Sequence, residues 1–266
     1  MLFYRQRLGA SLSVLPEMKH TLLILTVGLF TSTLGRAQTP CPPPQFGVEG
    51  GSSVTTPCPS ASGNSYSTSF DTTENPLSEG GRWITGKAVG LDWNNPLTES
   101  GVVHASVRSG ASGNRYDDSI AHVSNSFVDF KPDQHAQATV YRAPGYAPTG
   151  SKHEVELLLR FEITAHNARG YEVLWGWDGD FAIVRWNGPL GNYTTLYSTF
   201  LEQLVDGDVV RAEISGSVIK VYKNGALKAA PTDTTFADGQ PGVGFWPVDS
   251  STPANYGWKD FAAGNL

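Results

Sequence analysis

The chain has 266 residues, of which 39% are apolar and 17% charged, with 29 glycines, 17 prolines and only two cysteines. Nineteen Lys and Arg stand against 25 Asp and Glu, and residues 1–37 hold Arg5, Arg7, Lys19 and Arg36 but only Glu17 among the acids, so the remainder is more acidic than the overall charge of −6. That balance excludes the clustered positive charge rewarded by nucleic acid and anionic membranes, and the length suits one large all-β domain or two small ones.

In chain order, Met18-Lys19-His20 is followed by the apolar run Thr21 to Leu34 and then by Gly35-Arg36-Ala37. The segment reads as a secretory signal peptide over residues 1–37, cut after Ala37, because the run is short for a membrane span and the small residues suit a peptidase. A permanent anchor is the competing reading, and Met1 and Met18 are both available as starts. Export predicts a secreted or periplasmic protein.

Residues 38–65 are rich in Pro, Gly, Ser and Thr and bury too little apolar surface to fold alone, so they read as a linker. Both cysteines, Cys41 and Cys58, lie there. An oxidising compartment predicts a disulfide between them, stabilising by about 3 kcal/mol in the chain-entropy model. The rival, a thiol metal site, lacks a nearby His or further Cys.

From Tyr66 to the end, short β-type runs alternate with turn residues. Tyr66–Asp71 and Gly81–Ile84 open the series, and His135–Arg142, Glu154–Phe161, Tyr171–Trp177, Phe181–Asn187, Val209–Ile214, Val218–Tyr222 and Gly242–Pro247 are the clearer strands. Val155, Leu157, Leu159 and Phe161 share one face, leaving Glu154, Glu156, Leu158 and Arg160 on the other. Val210, Ala212 and Ile214 likewise oppose Arg211 and Glu213, with Gly216 and Asn224-Gly225 supplying hairpin turns. No helical period or internal repeat of useful length appears. Strand-turn-strand spacing of this kind predicts an all-β, two-sheet antiparallel sandwich over residues 66–266.

Three segments carry a likeness beyond pattern: Gly207 to Gly225, Phe236 to Phe245, and Trp258 to Gly264, with Ser69-Phe70-Asp71, Asn75-Pro76-Leu77 and Trp83 at the other end. In this order they resemble the concanavalin A-like lectin/glucanase superfamily, in its laminin-G-like jelly-roll form. The resemblance implies adjacent first and last strands and glycan binding on a concave sheet face or its rim loops. It does not imply an enzyme, since one fold hosts many functions.

The predicted binding residues are Glu156, Arg160, Glu172, Arg185, Arg211 and Glu213, which form a charged groove if they share one surface, and Trp177 at a turn mouth. Carboxylate and guanidinium groups pair with sugar hydroxyls, and aromatic faces stack on pyranose rings. The same charges also read as a cross-strand ladder that solubilises an exposed face. Tyr171 and Trp175 fall on the core face, and Trp186 completes the aromatic group.

The Asp178-Gly179-Asp180 turn could hold Ca²⁺ through loop carboxylates and carbonyls, with Asp117-Asp118 the second acidic pair. Two acids fall short of the roughly six oxygens calcium wants, and Asp-Gly is also an ordinary hairpin signature; the expectation is no cofactor, with Ca²⁺ the alternative. The histidines have no metal-ligand spacing. A lyase-type pair would draw on His122 or His135 with Tyr116 or Tyr141. Glu-x-Asp-x-x-Glu, Gly-x-Ser-x-Gly and phosphate-loop motifs are absent; Asn192-Tyr193-Thr194 is a glycosylation sequon. The reading is a secreted module that binds a polysaccharide or glycoconjugate, with no nucleic-acid or membrane partner after signal removal. A glycoside hydrolase or polysaccharide lyase using Glu156, Glu172 or Glu213 is the alternative, and a structural or adhesion module the third; oligomeric state stays open.

Overall fold

Alternation in the long central strands builds the molecule, and a computed structural model shows how it is used. The structure describes residues 64–86, 92–106, 118–147, 153–247 and 253–266, all within the unit Pro59–Leu266. The predicted signal peptide, Cys41, Cys58 and nearly all of the predicted linker lie outside the described residues.

The strands are β1 (Ser65–Thr68), β2 (Trp83–Thr85), β3 (Pro96–Glu99), β4 (Val102–Ala105), β5 (Ser119–Val123), β6 (Gln134–Arg142), β7 (Glu154–Thr164) and β8 (Asn167–Gly176). They continue with β9 (Asp180–Gly188), β10 (Tyr193–Phe200), β11 (Val209–Ser215), β12 (Val218–Lys223), β13 (Ala226–Ala229), β14 (Gln240–Trp246), β15 (Tyr256–Trp258) and β16 (Phe261–Asn265). They make two antiparallel sheets, a jelly-roll β-sandwich. One has seven strands in the order β10-β9-β8-β7-β14-β5-β2; the other has nine, with β13-β12-β11-β6-β15-β4-β3 as its path and β16 joining β1 to β6. First and last strands are therefore neighbours, Tyr66 facing Ala263.

The core fills with the inward residues of both sheets. Val155, Leu157 and Leu159 of β7, Tyr171, Val173 and Trp175 of β8, and Phe181 and Ile183 of β9 meet Val210, Ala212 and Ile214 of β11 and Ile219 and Val221 of β12. Period-two alternation puts each set on one face, and burial of side chains this large supplies the main driving force.

Alternation fails at one place that the sequence reading treats as regular. The β7–β8 register slips between Leu159 and Glu162, and Arg160 takes a positive φ of 45°. This bulge turns Phe161 away from the Val155 row; it packs with Leu158 and Ile163 in a second cluster on the far face of the seven-stranded sheet. Gly170 and Gly239 press their backbones against Arg160 and Phe161 at φ of 141° and 126°, and a Cβ on Gly170 would lie 2.7 Å from the Arg160 carbonyl oxygen.

Arg160 holds the bulge. Its Nε donates to the Pro132 carbonyl at 2.8 Å and its Nη1 to the Phe236 carbonyl at 2.9 Å, with Asp133 3.4 Å from Nη2. Its backbone N–H donates to Gln134 Oε1 at 3.0 Å. Arg160→Ala removes the donors to two part-buried carbonyls and the brace of the bulge, and is expected to cost about 1–3 kcal/mol of stability. Urea denaturation checks this, and a loss below about 0.5 kcal/mol, typical of an ordinary surface site, would remove the residue from the architecture.

Candidate functional site

The face of the seven-stranded sheet turned away from the core is where the chain spends unusual chemistry. Strand parity places Glu154, Glu156 and Leu158 of β7 on it, with Glu172 and Leu174 of β8, Ala182, Val184 and Trp186 of β9, and Gly242, Gly244 and Trp246 of β14. Asp118 precedes Ile120 and His122 on the β5 side.

Register makes Glu156 the cross-strand neighbour of Leu174 and Gly244, and Glu172 that of Leu158 and Val184. The two acids are thus diagonal neighbours. Both are buried, with relative exposures of 0% and 3%. Glu172 Oε2 accepts from Trp186 Nε1 at 2.6 Å. Glu156 receives no N–H or O–H from any other described residue on either oxygen, and its hydrogen-bond partner is the Glu172 carboxyl. Gly244 is required beneath it, because a Cβ there would collide with Glu156 Oε2.

Two carboxyls in contact without a cation cannot both ionise at neutral pH. Burial, reinforced by the charges of Glu172, Asp118 and Glu154, pushes Glu156 well above the ordinary carboxylate range. Burial also raises Glu172, to about 7, against the opposing hydrogen bonds from Trp186 and Glu156. Glu156 is therefore the protonated member and donates to Glu172.

Trp93 packs on Trp186, the indole that donates to Glu172. It is 1% exposed and meets Trp186 edge to face at 6.0 Å. Its neighbour Asn94 is tied to the β5 side, with its N–H donating to the Asp118 carbonyl at 2.9 Å and its carbonyl accepting from Ile120 N–H at 3.1 Å. Ile120, Leu158, Phe161, Ile163, Ala168, Val184 and Trp186 complete an apolar cluster under it. The other half of the face is more open: Leu174, Asp180 and Trp246 are half-buried, Ser198 is exposed, and Phe200 is 74% exposed. By register, Ser198 and Phe200 of β10 lie beside Ala182 and Asp180.

The predicted groove divides in the structure. Glu156 and Glu172 do come together, but as a covered, uncharged-to-singly-charged pair and not as an open polar trough. Arg160 is the clasp of the bulge. Arg185 points to the core side, where Nη1 pairs with Asp233 at 2.5 Å and Nε donates to Asn187 Oδ1 at 2.9 Å. Arg211 and Glu213 lie on the outward face of the other sheet and pair with each other at 2.7 Å. Beside them, burial and then the Arg211 charge lower the His135 imidazole to about 4. Trp177 is half-buried against the core, with the Arg142 guanidinium 5.5 Å above its ring.

Asp178 accepts from the Asp180 N–H at 3.1 Å, the self-bonded form of an Asp-Gly turn. Among the described residues, no three His, Cys, Asp or Glu side chains are grouped to hold a metal ion. His122 is buried and lowered by that burial, Tyr141 lies under Lys259, and Asp117 and Tyr116 fall outside the described residues. A different pair, Tyr146 Oη to His153 Nδ1 at 2.6 Å, sits by a shallow cavity of about 430 Å³ lined by Arg142, Val205 and Asp206. Sequence reasoning also passed over Trp93, Trp246 and Phe200; for Trp246, parity with Gly244 in the same strand was the available signal.

No protein-family model matches the chain, and no curated protein matches it in sequence. Among solved structures, the carbohydrate-binding module CBM66 from Bacillus subtilis aligns over 71% of this chain and 96% of its own, at 15% identity and a TM-score of 0.45. A prokaryotic β-1,3-1,4-glucanase (lichenase) derived from a mouse hindgut metagenome covers 76% and 100%, at 12% identity and 0.46. Sheep galectin-11 covers 51% and 92%, at 9% identity and 0.38. At these values the likeness is one of architecture and carries nothing about activity.

The carboxyl pair makes stability depend on pH in a defined direction. Both groups start from an ordinary value of 4.5 in the unfolded chain and are raised in the fold, so over that interval the native state holds protons that the unfolded chain has lost. Stability then falls as pH rises, from about 4.5 to about 7 for Glu172 and further for Glu156. Asp133, Asp206, Asp208 and Asp233 are held low and act oppositely, losing their contribution as pH falls. The melting temperature is expected to peak in mild acid and decline through neutrality. Glu156→Gln, whose amide donates to Glu172 without titrating, should flatten that decline; a wild-type profile level from about pH 5 to 8 would contradict the shared proton.

Proposed function

We propose that this chain is a secreted glycan-binding module of the laminin-G-like, concanavalin A-like kind, which holds a polysaccharide or glycoconjugate against the open half of the outer face without turning it over. The observation that carries this is the combination there of Trp246, Phe200 and Leu174 with the Ser198 hydroxyl and the Asp180 and Glu154 carboxylates. Aromatic faces stack on sugar rings while carboxylates and hydroxyls accept and donate to their edges. Uronate or sulfated chains are disfavoured by the acids.

The Glu156–Glu172 pair favours a second reading, an acid/base enzyme, since strongly perturbed carboxyls cluster at active sites. Its geometry weighs against hydrolysis. Glycosidases separate their two carboxyls by about 5–9.5 Å to admit the scissile bond or a water, whereas these two share a hydrogen bond and are both buried.

Affinity gels and glycan arrays test the reading, with reducing ends and absorbance of unsaturated products followed in parallel. Trp246→Ala and Phe200→Ala are each expected to weaken retention by about tenfold, the worth of one stacked aromatic. Blank arrays would leave a structural or adhesion module in its place, and turnover abolished by Glu156→Gln would establish the enzyme.

A further inference from the structure

We infer that the open edge of β10 is the interface through which two copies of this chain join, antiparallel about a two-fold axis, so that their seven-stranded sheets continue into one. This stands on the strand order and register and not on the glycan-binding reading.

A sheet edge is a template for further pairing, and chains protect their edges by shortness, charge, proline or a covering segment. The other outermost strands among the described residues are protected in these ways. β2 has three residues, and β1 has four, with the Tyr66 and Thr68 hydroxyls tied to Glu79. β3 begins at Pro96, ends at Glu99 and is covered by Glu74, whose N–H and carbonyl both bond Thr98. β13 has four residues and carries Lys228. β10 is outermost in its sheet, yet its eight residues, Tyr-Thr-Thr-Leu-Tyr-Ser-Thr-Phe, include no charge and no proline. Its threonines and aromatics suit a ladder. Three large apolar side chains stand exposed on it: Tyr193 at 41%, Tyr197 at 37% and Phe200 at 74%.

The register selects a second copy as the occupant. Asn187 N–H donates to the Asn192 carbonyl at 2.9 Å and Leu201 N–H to the Gly179 carbonyl at 2.8 Å, which fixes the ladder at both ends of the β9–β10 pair. Alternation inward from each end points the backbone of Thr194, Tyr197 and Thr199 at β9 and that of Thr195, Ser198 and Phe200 at the open side. The bulge between Thr195 and Tyr197 is what changes the parity. A two-fold axis between Leu196 and Tyr197, the middle of the strand, then sets Thr195 against the partner's Ser198 in a hydrogen-bonded pair. The same axis sets Tyr193 against the partner's Phe200, an aromatic cross-strand pair on the outer face. Spacing that is symmetric about the strand's midpoint is the mark of an isologous contact, in which one surface meets itself. Charge agrees: copies of a chain with net charge −6 repel, and an uncharged strip is where they approach at least cost.

Sedimentation equilibrium of the full chain, made in a host that leaves Asn192-Tyr193-Thr194 unglycosylated, tests the interface over about 1–200 μM. The mass is expected to rise from one copy to two and stop there, and to hold at about 1 M salt, because the contact contains no ion pair. Amide exchange at Thr195, Ser198 and Phe200 should slow as concentration rises. Thr195→Pro removes one donor on the open side, where edge strands tolerate proline, and Thr195→Lys adds a gatekeeper charge; each is expected to weaken association at least about tenfold with an unchanged near-ultraviolet circular dichroism spectrum. Should the proline variant unfold, the lysine variant decides. A single-copy mass throughout overturns the interface, as does a mass that climbs past two copies, association untouched by Thr195→Lys, or protection that appears away from β10.

Discussion

The proton between Glu156 and Glu172 is the constraint on which the outer half of the molecule depends. Two carboxylates without a cation, both buried, repel each other too strongly to coexist. With one proton they become a donor and an acceptor. Glu172 can then also accept from Trp186, which fixes the indole against Trp93 at 6.0 Å and against Tyr193 at 5.6 Å. The absence of a side chain at Gly244 follows from the same arrangement, because the space is already filled by the Glu156 carboxyl.

Most of the architecture was legible because the long strands alternate. The segments now seen as β7, β8, β9, β11 and β12 were readable from period-two patterns, since each buries one face in a common core. β10 was not, because an edge strand exposed along much of its length, as Thr195, Tyr197, Ser198 and Phe200 are, carries no burial signal. β3, β4 and β5 are four or five residues long, too short for a pattern to stand out.

The site was legible only within single strands. Parity puts Glu156 opposite Leu157, but which sheet a strand joins depends on pairings between distant segments. Arg211 and Glu213 therefore seemed able to share a surface with Glu156, although β11 pairs with β6 in the other sheet. Arg160 failed for a different reason: a bulge breaks parity locally. Its trace in the sequence is the pair of distant glycines, Gly170 and Gly239, that admit the displaced backbone, and their role appears only once the strands are side by side.

The course of β7 shows where the open half of the outer face ends and packing begins. A strand covered on both faces reads as a continuous apolar run, and one covered on a single face alternates. From Leu157 to Leu159 the run is continuous, and there the outer face is a second core under Trp93. From Glu154 to Leu157 polar and apolar residues alternate, and there the outer face carries carboxylates beside Trp246. Glu156 stands at the junction, buried like a core residue yet polar like a surface one. A ligand on the open half would thus be bounded on one side by solvent and on the other by the packed wall of Trp93 and Trp186, so its length along the strands is limited by the point at which alternation stops.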